Sequence, residues 1–172
     1  MRCSQVSTLF LFFAASLPAT IIVSTLPEYN GVGIYPATET VGTFVYSIPP
    51  GEFIVSAVYS STLGNSTVPN TAVMDVIVDG LVVGSCLSPS DPCWFGGSPI
   101  PFSYTFAPAD FALLSDGSAL LSVDQLDCCV IRLGASSLTI ETALVPEPGS
   151  LVLFGLGLLA FGTLQFRRRR RQ

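Results

Sequence analysis

A chain of 172 residues has room for one domain plus targeting segments, and at 49% hydrophobic and only 11% charged it departs from the make-up of an ordinary soluble domain. All seven of its basic residues are arginine and it has no histidine. That excludes Ser-His-Asp and Cys-His catalysis, histidine metal sites and lysine Schiff bases.

The chain opens with one positive charge, Arg2, followed by an apolar run from Val6 to Ala15. Pro18 and several small residues come next. This is the order of the three regions of a secretory signal peptide, so residues 1–24 are expected to form a removable leader. The apolar run is shorter than the about 20 residues that span a bilayer. Small residues at Ala14-Ala15-Ser16, Ala19 and Ser24 leave the cleavage site open.

Residues 25–144 read as one exported domain with frequent strand signals and weak helix signals. Val41–Ser47 is rich in β-branched and aromatic residues and is punctuated by Pro49-Pro50-Gly51. Phe53–Ser60 is the next strand candidate. Thr71–Val78 and Leu81–Cys86 flank Asp79-Gly80, which predicts a hairpin with a type I′ turn. A Pro/Gly-rich loop, Leu87–Pro99, leads to the aromatic run Ile100–Phe106. Ala107–Asp116 reads as a short helix or a loop running to a turn at Asp116-Gly117. Ala119–Val123, Cys129–Leu133 and Ser137–Thr142 complete about eight strands. That spacing predicts an all-β fold, a β-sandwich or jelly roll.

Between Ser24 and Val145, one arginine, Arg132, stands against eleven acids, a net charge of −10. Binding of nucleic acid or anionic lipid by this domain is therefore unfavourable. Calcium is a candidate ligand, because Asp110, Asp116, Asp124 and Asp127 fall near loops, but no EF-hand loop is present and no metal site is assigned. A role as solvated turn residues is the favoured reading of these acids. Cys3 lies in the leader. The remaining Cys86, Cys93, Cys128 and Cys129 are an even set in an exported domain, which favours disulfides, with three pairings open. Trp94, the only tryptophan, either stacks on a sugar from a loop or packs beside a disulfide. Asn65-Ser66-Thr67 fits the glycosylation pattern.

Ser150–Phe166 carries no charge and would form a helix about 25 Å long, near the thickness of a hydrocarbon core. Arg167, Arg168, Arg169, Arg170 and Arg171 follow at once, and positive charge stays on the cytoplasmic side. A transmembrane helix over 150–166 with an outward-facing domain and an inner arginine tail is the expectation. Just outside it lies Val145-Pro146-Glu147-Pro148-Gly149. Two prolines keep such a segment out of helix interiors and sheet ladders, extended and open to a protease.

A Pro-Glu-Pro triplet, an apolar span and a terminal arginine cluster together resemble the PEP-CTERM sorting signal of Gram-negative bacteria, over residues 145–172 only. The resemblance implies processing near Val145–Gly149 by an exosortase, a membrane-embedded cysteine transpeptidase-like enzyme, with this chain as its substrate. It also implies exopolysaccharide-producing bacteria and a biofilm or envelope setting. The protein is thus expected to be a non-enzymatic surface or matrix protein without cofactor, held in the inner membrane during export and then placed at the cell surface or released. Two other readings are a carbohydrate- or calcium-binding adhesin module and a secreted glycoside hydrolase using two carboxylates.

Overall fold

The structure is a computed structural model that describes residues 19–31, 37–66, 71–95, 98–127, 130–145 and, in the C-terminal segment, 154–155 and 157–158. Those last four residues are helical. The rest of the expected span over 150–166 lies outside the described residues. Among the described residues, no helix is long and apolar enough to cross a membrane.

The fold is all-β, in two antiparallel sheets. The first contains β1 (Ala19–Leu26), β2 (Tyr29–Asn30), β4 (Glu52–Leu63), β7 (Ile100–Thr105), β9 (Arg132–Leu133) and β10 (Ser136–Leu144). Here β10 lies between β1 and β4, while β4 also pairs with β7 and β9. The second has the order β3 (Ala37–Val45), β8 (Ser118–Gln125), β5 (Met74–Val78), β6 (Leu81–Cys86).

Alternation along the strands builds the interior. On β8, Ala119, Leu121 and Val123 are buried while Leu120 is exposed, and β5 and β10 repeat the pattern with Met74, Val76, Val78 and with Leu138, Ile140. Inward residues from both sheets join one apolar core. Tyr59 sits at its centre, fully buried, with its ring edge-on to Phe44 at 6.2 Å and tilted against Phe102 at 5.7 Å. Its hydroxyl lies 3.0 Å from Ser136 Oγ, which donates to Ser61 Oγ at 3.0 Å. That chain supplies partners for hydroxyls that would otherwise be costly to bury. Burial raises the Tyr59 pKa above its ordinary value. At Gly84 on β6, an added Cβ would fall 2.3 Å from Phe102 Cε2 on β7, so the missing side chain is what lets the two sheets approach there.

The turns follow their residues. Asp79 (φ 46°) and Gly80 (φ 81°) take the left-handed conformation that the Asp-Gly hairpin requires. Gly51 (φ 81°) closes the Pro49–Gly51 turn, where Glu52 N donates to Pro49 O at 3.1 Å. Several expected bounds are corrected. The third strand begins at Ala37 and ends at Val45, because the ladder to β8 starts at Gln125. The strand expected over Phe53–Ser60 runs on to Leu63 through its pairing with β7. Thr71–Val73 stay out of β5. The expected strand Cys129–Leu133 shrinks to Arg132–Leu133, with Cys128 and Cys129 outside the described residues. Pro108–Leu114 forms a 3-10 helix, one of the two readings of that stretch. Ala19–Leu26, a stretch that overlaps the expected leader, is a fully paired strand.

Candidate functional site

The chain enters and leaves the described domain at one end of the first sheet. Ala19 of β1 lies opposite Ala143 of β10, so the two termini of the domain emerge from neighbouring strands. A clamp forms there. Glu52 opens β4, and its carboxylate accepts a hydrogen bond from Thr20 Oγ1 at 3.1 Å and another from Thr142 Oγ1. One residue beyond β10, Val145 N donates to Gly51 O at 3.0 Å. Val145 is therefore held against the turn that opens β4, and the rest of the expected sorting motif begins at the next residue. Pro146, Glu147, Pro148 and Gly149 lie outside the described residues, as do Arg167–Arg171.

The same end carries the turn Asp116-Gly117 and the β5–β6 hairpin tip. Tyr46 N donates to Gly117 O at 3.0 Å, and its hydroxyl reaches Leu114 O at 2.8 Å. Burial, then the charges of Asp116 and Asp79, push the Tyr46 pKa well above its ordinary value. Burial also raises the Asp79 carboxyl above 3.8, opposed by the bond it accepts from Leu120 N at 2.8 Å and supported by the nearby Asp116.

The opposite end holds the disulfide. Cys86, the last residue of β6, bonds to Cys93 in α1 (Pro92–Phe95) with Cα atoms 6.1 Å apart. This resolves one of the three pairings left open. Asp91 organises the loop by accepting from Leu87 N and Ser88 N, each at 3.0 Å. Cys86, Asp91 and Cys93 offer sulfur and oxygen atoms within 4.8 Å of one another. That trio is no metal centre, since a thiolate is the ligand species and both sulfurs are already bonded. Trp94 follows, half-buried and packed against the core. Thr71 ties this loop to β9: Thr71 N donates to Cys93 O at 3.3 Å, and Arg132 N donates to Thr71 Oγ1 at 3.0 Å. Asn65 is buried and donates from Nδ2 to Asn30 Oδ1 at 2.5 Å, a placement closed to glycosylation.

The four acids considered for calcium are not gathered. Asp116 caps the start of β8 by accepting from Ser118 N at 3.0 Å, and Asp124 lies near the other end of that strand. Asp127 accepts from Val73 N at 3.0 Å. Asp110 sits in the 3-10 helix. The structure instead places Asp75 of β5 directly opposite Asp124 of β8 on the outer face of the second sheet. Ser85 Oγ donates to Asp75 Oδ1 and Thr38 Oγ1 to Asp124 Oδ1, both at 2.6 Å. This row of hydroxyl, carboxylate, carboxylate and hydroxyl crosses all four strands. Alternation alone points Asp75 outward, but its partner depends on register, which no local pattern encodes.

No curated protein sequence matches the chain. Among solved structures, it is similar to a chain of the cyanophage Pam1 capsid asymmetric unit, at 13% identity, over 80% of this chain and 94% of that one, with a TM-score of 0.34. Residues 144–171, from the last residue of β10 through the arginine run, carry the PEP-CTERM protein-sorting motif.

Proposed function

We propose that this protein is an exported, exosortase-sorted component of the cell surface or extracellular matrix, with no catalytic role of its own. In this reading the cargo domain runs from β1 to residue 144, a β-sandwich whose two sheets close over the shared core. Residues 150–166 are a temporary membrane anchor, and Arg167–Arg171 stop transfer. An exosortase recognises Val145–Gly149 and processes the chain there, in an envelope setting associated with exopolysaccharide. The matched sorting motif at residues 144–171 carries this reading.

The fold supports it in one further respect. The motif starts where β10 ends, so processing takes place at the end of the sheets bearing Glu52 and Gly51. The end with Cys86, Cys93 and Trp94 then faces away from the anchor and is the one offered to the surroundings.

The test is intact-mass analysis of fractions from an exosortase-containing host. The wild-type chain should lose its tail and leave the inner membrane. A variant with Pro146→Ala, Glu147→Ala and Pro148→Ala should remain full-length at its C-terminus and membrane-bound. Identical masses and fractionation for the two chains would refute the assignment.

A further inference from the structure

We propose that the leader is removed by hydrolysis of the Ser16–Leu17 bond, so that all of β1 remains in the mature protein. The inference rests on the export reading above and specifies a processing site that this reading leaves open. A leader-cleaving endopeptidase requires small side chains at the cut and two positions before it. Ser16, preceded by Ala14, meets the requirement; Ala19 has Leu17 two positions back and Ser24 has Ile22.

The fold supplies an independent argument. Cutting after Ser24 would delete Ala19–Ser24, the part of β1 that pairs with β10 from Ala143 to Leu138. It would withdraw Ile22 from the core and remove the Thr20 hydroxyl from Glu52. It would also take away Ser24 Oγ, which accepts from Val45 N at 3.2 Å across the two sheets. Without Ala19–Ser24, β10 loses its partner from Leu138 to Ala143 and presents an open edge there, a template for pairing with other chains. Cutting after Ser16 leaves Leu17 and Pro18 ahead of the strand. Proline has no N–H for a ladder, which suits a strand that begins at Ala19.

In the cleavage, water supplies hydroxyl to the Ser16 carbonyl carbon and a proton to the Leu17 nitrogen as the amide bond breaks. Ala19, two residues after the new amino terminus, lies opposite Ala143, next to the segment that carries the sorting motif.

The full chain with its own leader, produced in a Gram-negative host, tests this by N-terminal sequencing and intact mass. Leu17 as the first residue supports the proposal. Thr20 or Thr25 as the first residue overturns the assigned bond while leaving export standing. An uncut Met1 overturns the bond and the export reading together. Two variants give a second measure. Ser16→Leu should raise uncut precursor at least tenfold, and Ser24→Val should leave the precursor fraction unchanged; the reverse pattern overturns the proposal.

Discussion

Replacing Cys86 and Cys93 together by alanine should cost the mature protein about 2.5 kcal/mol from chain entropy alone. The disulfide closes a loop with a sequence separation of 7, and a loop that short gives a value at the lower end of the usual range. Both cysteines are buried, at 0% and 5% exposure, so lost sulfur packing adds to the penalty. With a urea slope of about 1.5 kcal/mol/M for a domain of this size, the unfolding midpoint should fall by at least about 1.5 M. Equilibrium urea unfolding followed by tryptophan fluorescence measures this directly, because Trp94 adjoins the bridge. Reductant should move the wild-type curve toward that of the variant. A double variant unfolding within 0.3 M of wild type (roughly the error of such curves) would refute the claim that this bridge holds the loop.

Gly84→Ala should destabilise the protein by about 1–3 kcal/mol through its clash with Phe102, and Phe102→Leu in the same chain should recover part of the loss in thermal melts. Asp124→Asn removes one of two like charges facing each other across strands while keeping an acceptor for Thr38, and should stabilise by about 0.2–1 kcal/mol, less at high salt. Asp79→Asn tests the raised carboxyl. Because the folded pKa lies above the unfolded 3.8, the stability tied to its protonated form is present below 3.8 and lost as pH rises through the folded value. Asn also suits the positive φ of this turn, so the variant should melt higher than wild type at pH 7, with the gap closing toward pH 3. Tyr29 is pushed up to about 12 by burial and by its 2.7 Å bond to Glu39. The stability linked to its protonation is therefore complete below pH 10 and lost between pH 10 and 12, a loss that Tyr29→Phe should abolish in alkaline melts.

Much of the fold was legible because single residues impose it. Asp79-Gly80 marked its hairpin, since few other pairs tolerate positive φ in succession. Pro49-Pro50-Gly51 and Asp116-Gly117 marked turns for similar reasons. Ala19–Leu26 was not read as a strand: its apolar residues follow closely on the apolar run Val6–Ala15, and composition cannot separate a strand from a targeting segment. Arg132–Leu133 and Tyr29–Asn30 are too short to show any period. The sorting motif was legible as a local word. The Glu52 clamp and the Asp75–Asp124 row were not, because both join residues far apart in the chain through strand order and register, which sequence spacing does not specify.

The place of β10 in the first sheet governs the timing of assembly. A polypeptide threaded outward amino end first presents Ile22 long before Ile140, its partner. Until the last strand arrives, the earliest one has nowhere to dock, and β4 lacks its neighbour on that side. Contacts this distant in sequence slow folding. A chain that has emerged only in part therefore exposes two open strand edges, until β10 pairs with both β1 and β4.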